Sequence, residues 1–152
     1  MDDQLFGVVL LVEDEPLVRL VTAEILADAK FQIIEAANAE EALTVLRAGV
    51  MVDVLLSDVE MPPGITGYEL AWQVYGHWTT IEILITSGRE WPREGDLPPR
   101  AAFLAKPCPH SALVLHVRAA AERARTARAL SLPGDQPPTK VDDAAVPCPK
   151  IA

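Results

Sequence analysis

The sequence predicts an α/β protein: one open, five-stranded parallel sheet with helices on both faces. Short apolar, partly β-branched segments alternate along the chain with stretches of helical periodicity. Those segments are apolar at nearly every position instead of every second one, which marks strands buried on both faces. Polar residues capable of chemistry collect just beyond their carboxyl ends, the edge at which open α/β sheets bind ligands.

Each element has its own signal. Phe6 to Val12 is the first strand, ended by Glu13-Asp14-Glu15. Pro16 suits a first helical position, and Leu17, Leu20, Val21 and Ile25 follow at helical spacing. Phe31 to Ile34 is the second strand. Asn38 with Glu41 makes a capping box for a helix carrying Ala39, Ala42, Leu43 and Leu46, stopped by Gly49. Val52 to Ser57 is the third strand and runs into Asp58. Thr66 and Glu69 cap a third helix with Leu70 and Val74 on its apolar side. Ile81 to Thr86 and Ala101 to Ala105 are the last two strands. Between them Pro92, Gly95, Pro98 and Pro99 leave a regular fourth helix in doubt. Pro109 opens the final helix, whose stripe is Leu113, His116, Val117, Ala120 and Ala124.

The 152 residues are 50% hydrophobic and 23% charged, a globular composition. Residues 1–130 make one domain. Residues 131–152, with Pro133, Pro137, Pro138, Pro147 and Pro149, are expected to be a flexible Pro-rich tail. Lys and Arg number 13 against 22 Asp and Glu, a net charge of −9. Such a surface repels phosphate, which argues against direct DNA binding and against anionic membranes. No apolar run nears the roughly 20 residues that span a bilayer. The acidic start, Met1-Asp2-Asp3-Gln4, is unlike a signal peptide. A cytoplasmic protein is expected. Cys108 and Cys148 make neither a metal cluster nor a disulfide framework.

Four strand ends deliver the candidate chemistry: Glu13 and Asp14, Asp58, Ser87, and Lys106. Three gathered carboxylates repel one another by roughly 4 kcal/mol per pair at about 4 Å and an effective dielectric near 20. Such a cluster holds protons or binds a cation, and hard oxygen ligands suit Mg²⁺. Lys106 adds a compact positive charge and Ser87 a hydroxyl donor, a set able to hold the oxygens of a transferring phosphoryl group. Asp58 is then the natural acceptor, forming an acyl phosphate. Each residue also has a plainer reading: helix-terminal acids at 13–15, a loop acid at 58, a solvated lysine, turn chemistry at Ser87-Gly88, and core packing for Phe103. Their joint occurrence is what favours the chemical reading. His77, His110 and His116 carry no nucleophile or metal spacing. Trp72, Trp78 and Trp91 read as packing, and the basic end of the last helix, Arg118 to Arg128, as a solvated face.

Val9-Leu10-Leu11-Val12-Glu13-Asp14-Glu15, Leu55-Leu56-Ser57-Asp58-Val59-Glu60-Met61-Pro62, Ile85-Thr86-Ser87-Gly88 and Phe103-Leu104-Ala105-Lys106-Pro107 resemble, in order, the signature segments of receiver domains. These are the phosphoacceptor domains of two-component response regulators, with the flavodoxin-like fold of CheY. The resemblance covers about residues 6–125. It implies a stand-alone response regulator, a phosphoprotein of phosphorelay signal transduction that switches protein–protein contacts and is not an enzyme. Its phosphoryl donor would be a sensor histidine kinase or histidine phosphotransfer protein. Asp58 matches the phosphorylated aspartate. Glu13 and Asp14 match the acidic pair that binds Mg²⁺ with it, completed by the Glu60 backbone carbonyl. Ser87 matches the switch hydroxyl, with the adjacent Thr86 as the competing assignment. Lys106 matches the phosphate-pairing lysine and Phe103 the aromatic that follows the switch. The resemblance further implies a cis Lys106-Pro107 peptide, and a role for Glu60 and Arg89 in tuning phosphate lifetime. The loop Pro63-Gly64-Ile65-Thr66 is one residue longer than the family pattern. Two other classes compete: a small Mg²⁺-dependent phosphatase with an aspartate nucleophile, which wants Asp-x-Asp where Glu13-Asp14-Glu15 stands, and a flavodoxin-like flavin-binding module, whose phosphate those acids would repel.

Overall fold

The computed structural model describes residues 5–130 apart from Glu90. The anticipated tail, 131–152, lies outside the described residues. Five parallel strands form a single sheet in the order β2-β1-β3-β4-β5. They are β1 (Gly7–Val12), β2 (Phe31–Ala36), β3 (Val54–Asp58), β4 (Glu82–Ser87) and β5 (Ala102–Ala105). The helices are α1 (Pro16–Asp28), α2 (Ala39–Arg47), α3 (Gly67–His77) and α4 (His110–Leu130). Strand order reverses between β1 and β3, which opens a crevice at their carboxyl ends.

Two apolar layers hold the helices on. On one face Ala42, Leu43 and Leu46 of α2 and Leu70, Ala71 and Val74 of α3 pack on Leu10, Leu55, Ile83 and Ile85. On the other, Ala23 and Leu26 of α1 with Leu113, Val117, Ala120 and Ala121 of α4 pack on Val9, Leu11, Leu56, Leu84 and Leu104. Side chains along each strand thus alternate between layers. A fully buried leucine such as Leu26 contributes about 1.5–3 kcal/mol.

Helix starts follow their caps. Thr66 and Glu69 close the full capping box on α3: Glu69 N donates to Thr66 Oγ1 at 3.1 Å and Thr66 N to Glu69 Oε1 at 2.9 Å. At α2, Glu41 N donates to Asn38 Oδ1 at 2.9 Å, but the Glu41 carboxylate accepts from Ala37 N instead of Asn38 N. Pro16 occupies the first turn of α1 behind Glu15, whose Oε1 accepts from Leu17 N and Val18 N.

Two stripes differ from expectation. The apolar positions Leu17, Leu20 and Val21 of α1 are exposed, and the helix docks through Ala23 and Leu26. His116 of α4 is exposed beside the buried Val117. The basic end of α4 is not simply solvated. Arg128 binds the buried Asp53 carboxylate, and Arg123 Nε sits 3.0 Å from the buried Glu82 carboxylate. Both acids lie at the amino edge of the sheet, where they tie down the far end of the helix. Among the described residues no helix joins β4 to β5, in keeping with the prolines there. None is long and apolar enough to cross a membrane.

Candidate phosphoryl and metal site

The three consecutive acids after β1 have three different settings. Glu15 caps α1. Glu13 is buried; its amide donates to Ala36 O and its carbonyl accepts from Arg19 Nη1 at 2.7 Å, which fixes the turn leaving β1. Asp14 is half-buried between them. Across the crevice Asp58 ends β3 opposite Thr86 of β4, and its successor Val59 donates to Thr86 O. Lys106 follows β5, its amide donating to Ser87 O at 2.9 Å, before a cis peptide to Pro107.

These elements bring Glu13, Asp14, Asp58 and Lys106 into one pocket. Lys106 Nζ lies 3.1 Å from Glu13 Oε1 and 3.5 Å from Asp58 Oδ1. One carboxylate oxygen from each of Glu13, Asp14 and Asp58 lies within 4.8 Å of the others. Burial lifts the Glu13 carboxyl above its ordinary value; the Lys106 ammonium works against this and the Asp58 charge adds to it. Burial likewise raises Asp58, more than the lysine lowers it. For Lys106 burial favours the neutral amine, yet the Asp58 and Glu13 charges outweigh that and hold its pKa above the usual lysine value. One ammonium faces three carboxylates, so the pocket remains short of positive charge. Hard oxygen donors with a charge deficit are what a divalent cation such as Mg²⁺ requires.

The remaining expected residues border this pocket. Ser87 is buried at the end of β4, and its Oγ accepts from Arg89 N at 3.2 Å. Alternation puts Ser87 on the layer of Ile83 and Ile85, against which Phe103 packs. Thr86 instead faces the α1–α4 layer and lines a cavity with Asp58 and Lys106. Glu60 is exposed, its Oε1 3.1 Å from Arg89 Nε, and both line the outer cleft with Asp14. The inner cavity, about 720 Å³, is walled by Val18, Val21, Ile25 and Leu113.

Two residues escaped the sequence reading. Arg19 braces the acidic turn through the Glu13 carbonyl while also pairing with Glu35 at 3.2 Å. Gly67 opens α3 against the Asp58 backbone: a Cβ there would stand 2.1 Å from Asp58 O. A glycine at a first helical position, where the cap already exists, was the available signal for the second. Nothing local announces the first.

The family model for the response regulator receiver domain matches residues 9–118. The receiver domain of the hybrid histidine kinase CckA is 34% identical, over 76% of this chain and 99% of its own, with a TM-score of 0.65. Response regulator TrrA from Thermotoga maritima, solved in complex with Mg²⁺-BeF, is 26% identical over 75% of this chain and 98% of its own, with a TM-score of 0.67. Chemotaxis response regulator CheY4 of Vibrio cholerae is 26% identical with the same coverage and a TM-score of 0.66. The segment order, the parallel sheet and the family match agree: this chain belongs to the response regulator receiver domain family.

Proposed function

We propose that the chain accepts a phosphoryl group on Asp58, from a histidine kinase or histidine phosphotransfer protein, and thereby switches its protein contacts. The single observation that carries this is the Lys106 ammonium placed 3.5 Å from Asp58 and 3.1 Å from Glu13. Glu13, Asp14, Asp58 and the Glu60 carbonyl would hold Mg²⁺. When bound, the ion supplies positive charge for phosphoryl oxygens and relieves repulsion among the acids.

The protein's own groups then have distinct tasks. An Asp58 carboxylate oxygen bonds to phosphorus as the phosphorus–nitrogen bond to the donor histidine breaks, giving an acyl phosphate. Lys106 keeps its proton and neutralises the oxygens of the transferred group. The Ser87 hydroxyl donates to one of those oxygens, and Phe103, on the same layer, follows. Arg89 and Glu60 at the mouth set how readily water reaches the acyl phosphate. Leu17, Leu20 and Val21 give α1 an exposed apolar flank beside the cavity that reaches Asp58. Such a flank suits an apolar surface of the donor protein. A phosphatase of the aspartate type is not favoured, because position 13 holds Glu and not Asp, and the acids disfavour a flavin phosphate.

Acetyl phosphate with Mg²⁺ tests the assignment. The wild-type chain gains one phosphoryl group by intact mass, and Asp58→Asn gains none. Full-stoichiometry labelling of the variant refutes it.

A further inference from the structure

Glu13 and Asp14 hang from the single turn between β1 and α1, so what they can hold depends on where that turn's backbone stands. Beside it, β2 reaches the turn in two ways. The Glu13 amide donates to Ala36 O at 3.1 Å, which extends the β1–β2 ladder by one step. The Glu13 carbonyl accepts from Arg19 Nη1 at 2.7 Å, and Nε of the same guanidinium donates to Glu35 Oε1 at 3.2 Å. Arg19 stands one turn into α1, where its amide donates to Glu15 O. One planar fork therefore joins helix, turn and strand. The carbonyl it holds shares a rigid peptide plane with the Asp14 amide, so fixing one fixes the departure of the other. With the backbone set, the Glu13 carboxylate lies between Lys106 Nζ at 3.1 Å and Glu15 N at 3.3 Å.

We propose that Arg19, steadied by Glu35, is a positioning residue that sets the pocket's affinity for its divalent cation, and that it acts through the Glu13–Asp14 peptide instead of through its own charge. This rests on the proposed Mg²⁺ site of Glu13, Asp14 and Asp58. Charge and position pull in opposite directions here. As a charge, a guanidinium near three carboxylates repels an arriving cation, and its removal would tighten binding. As a brace, it presents the acids already placed, and its removal leaves the ion to order the turn. Mg²⁺ tolerates little departure from octahedral oxygen geometry, so misplaced donors weaken it sharply. Groups behind the ligands of a metal typically matter about 10–100-fold in affinity. Glu35 lines neither the outer cleft nor the inner cavity, and its carboxylate is half-exposed. Its contact with Arg19 adds little stability, as exposed pairs do; what it contributes is the guanidinium's direction. A lysine at 19 would keep the charge without the fork.

Isothermal titration of the unphosphorylated full chain with Mg²⁺ measures this, in buffer where urea unfolding shows each variant folded. A loss of stability alone then leaves the dissociation constant unmoved. Arg19→Met and Arg19→Lys should each bind Mg²⁺ about tenfold more weakly than wild type. Glu35→Ala should weaken binding in the wild-type background and add nothing to Arg19→Met, because the two act in series. Equal or tighter binding by Arg19→Met overturns the proposal, and so does wild-type affinity in Arg19→Lys, which decides alone if Arg19→Met does not fold. An equal loss from Glu35→Ala in both backgrounds overturns the part given to Glu35. A wild-type chain that takes up no Mg²⁺ defeats the metal-site reading, and the positioning role with it, whereas wild-type binding with unchanged variants removes the positioning role alone.

Discussion

Gly67→Ala should cripple phosphoryl acceptance although position 67 carries no functional group. The added methyl would lie 2.1 Å from the Asp58 carbonyl oxygen and 3.0 Å from Val59 Cα, whereas ordinary contact begins at 3.4 Å. Both neighbours are backbone, so no flexible side chain can yield. Gly67 N also donates to Val59 O at 2.7 Å, which fastens the start of α3 to the same turn. Either α3 retreats or the Asp58 turn is displaced, by roughly 1 Å. Overpacking of this kind costs about 1–3 kcal/mol, and a misplacement of about 1 Å at a reacting group costs on the order of 10²-fold in rate. Gly76→Ala in the same helix is the control. A Cβ there meets nothing within 4 Å, so the methyl should leave the rate alone and stabilise by about 0.5–1 kcal/mol. Urea unfolding gives the stabilities, and the initial rate of acetyl phosphate labelling gives the chemistry. A Gly67→Ala protein with wild-type midpoint and a rate within twofold of wild type would refute the close-approach argument.

Lys106→Met removes the cation facing the Asp58 and Glu13 carboxylates. Its labelling rate should fall by about 10²-fold, the usual loss for one preorganised charge-stabilising donor; a rate within twofold of wild type contradicts the role. Arg128→Met strands the Asp53 carboxylate, which is 2% exposed and otherwise bonded to Val8 N. Unfolding should show a loss of about 1.5–3 kcal/mol with an unchanged labelling rate, since Asp53 lies at the sheet edge opposite Asp58. An unchanged midpoint would mean that the clamp contributes nothing.

The strands and the pocket were legible because their signals are local or additive. The central strands are apolar at nearly every position, and the candidate site residues close or follow four of the five strands, so Asp58, Ser87 and Lys106 could be placed by counting. The capping box at Thr66 and Glu69 is likewise written within four residues. What failed was anything decided by a distant partner. Leu17, Leu20 and Val21 have helical spacing, but periodicity does not say which stripe faces the sheet, and Ala23 and Leu26 occupy that side. Arg123 and Arg128 looked solvated because Glu82 and Asp53 stand 41 and 75 residues away. The missing helix was signalled by its prolines, yet the carbonyl grip of Trp72 on Gly95 and Asp96 was not, because tryptophan reads first as packing.

Borohydride reduction of the chain after acetyl phosphate treatment tests the convergence of Asp58, Glu13, Asp14 and Lys106 most directly. Reduction turns an aspartyl acyl phosphate into homoserine, which peptide mass mapping locates. Homoserine at position 58, formed with Mg²⁺ and absent when the ion is chelated, is the predicted result. Homoserine at a different aspartate, or at position 58 regardless of Mg²⁺, would contradict the account.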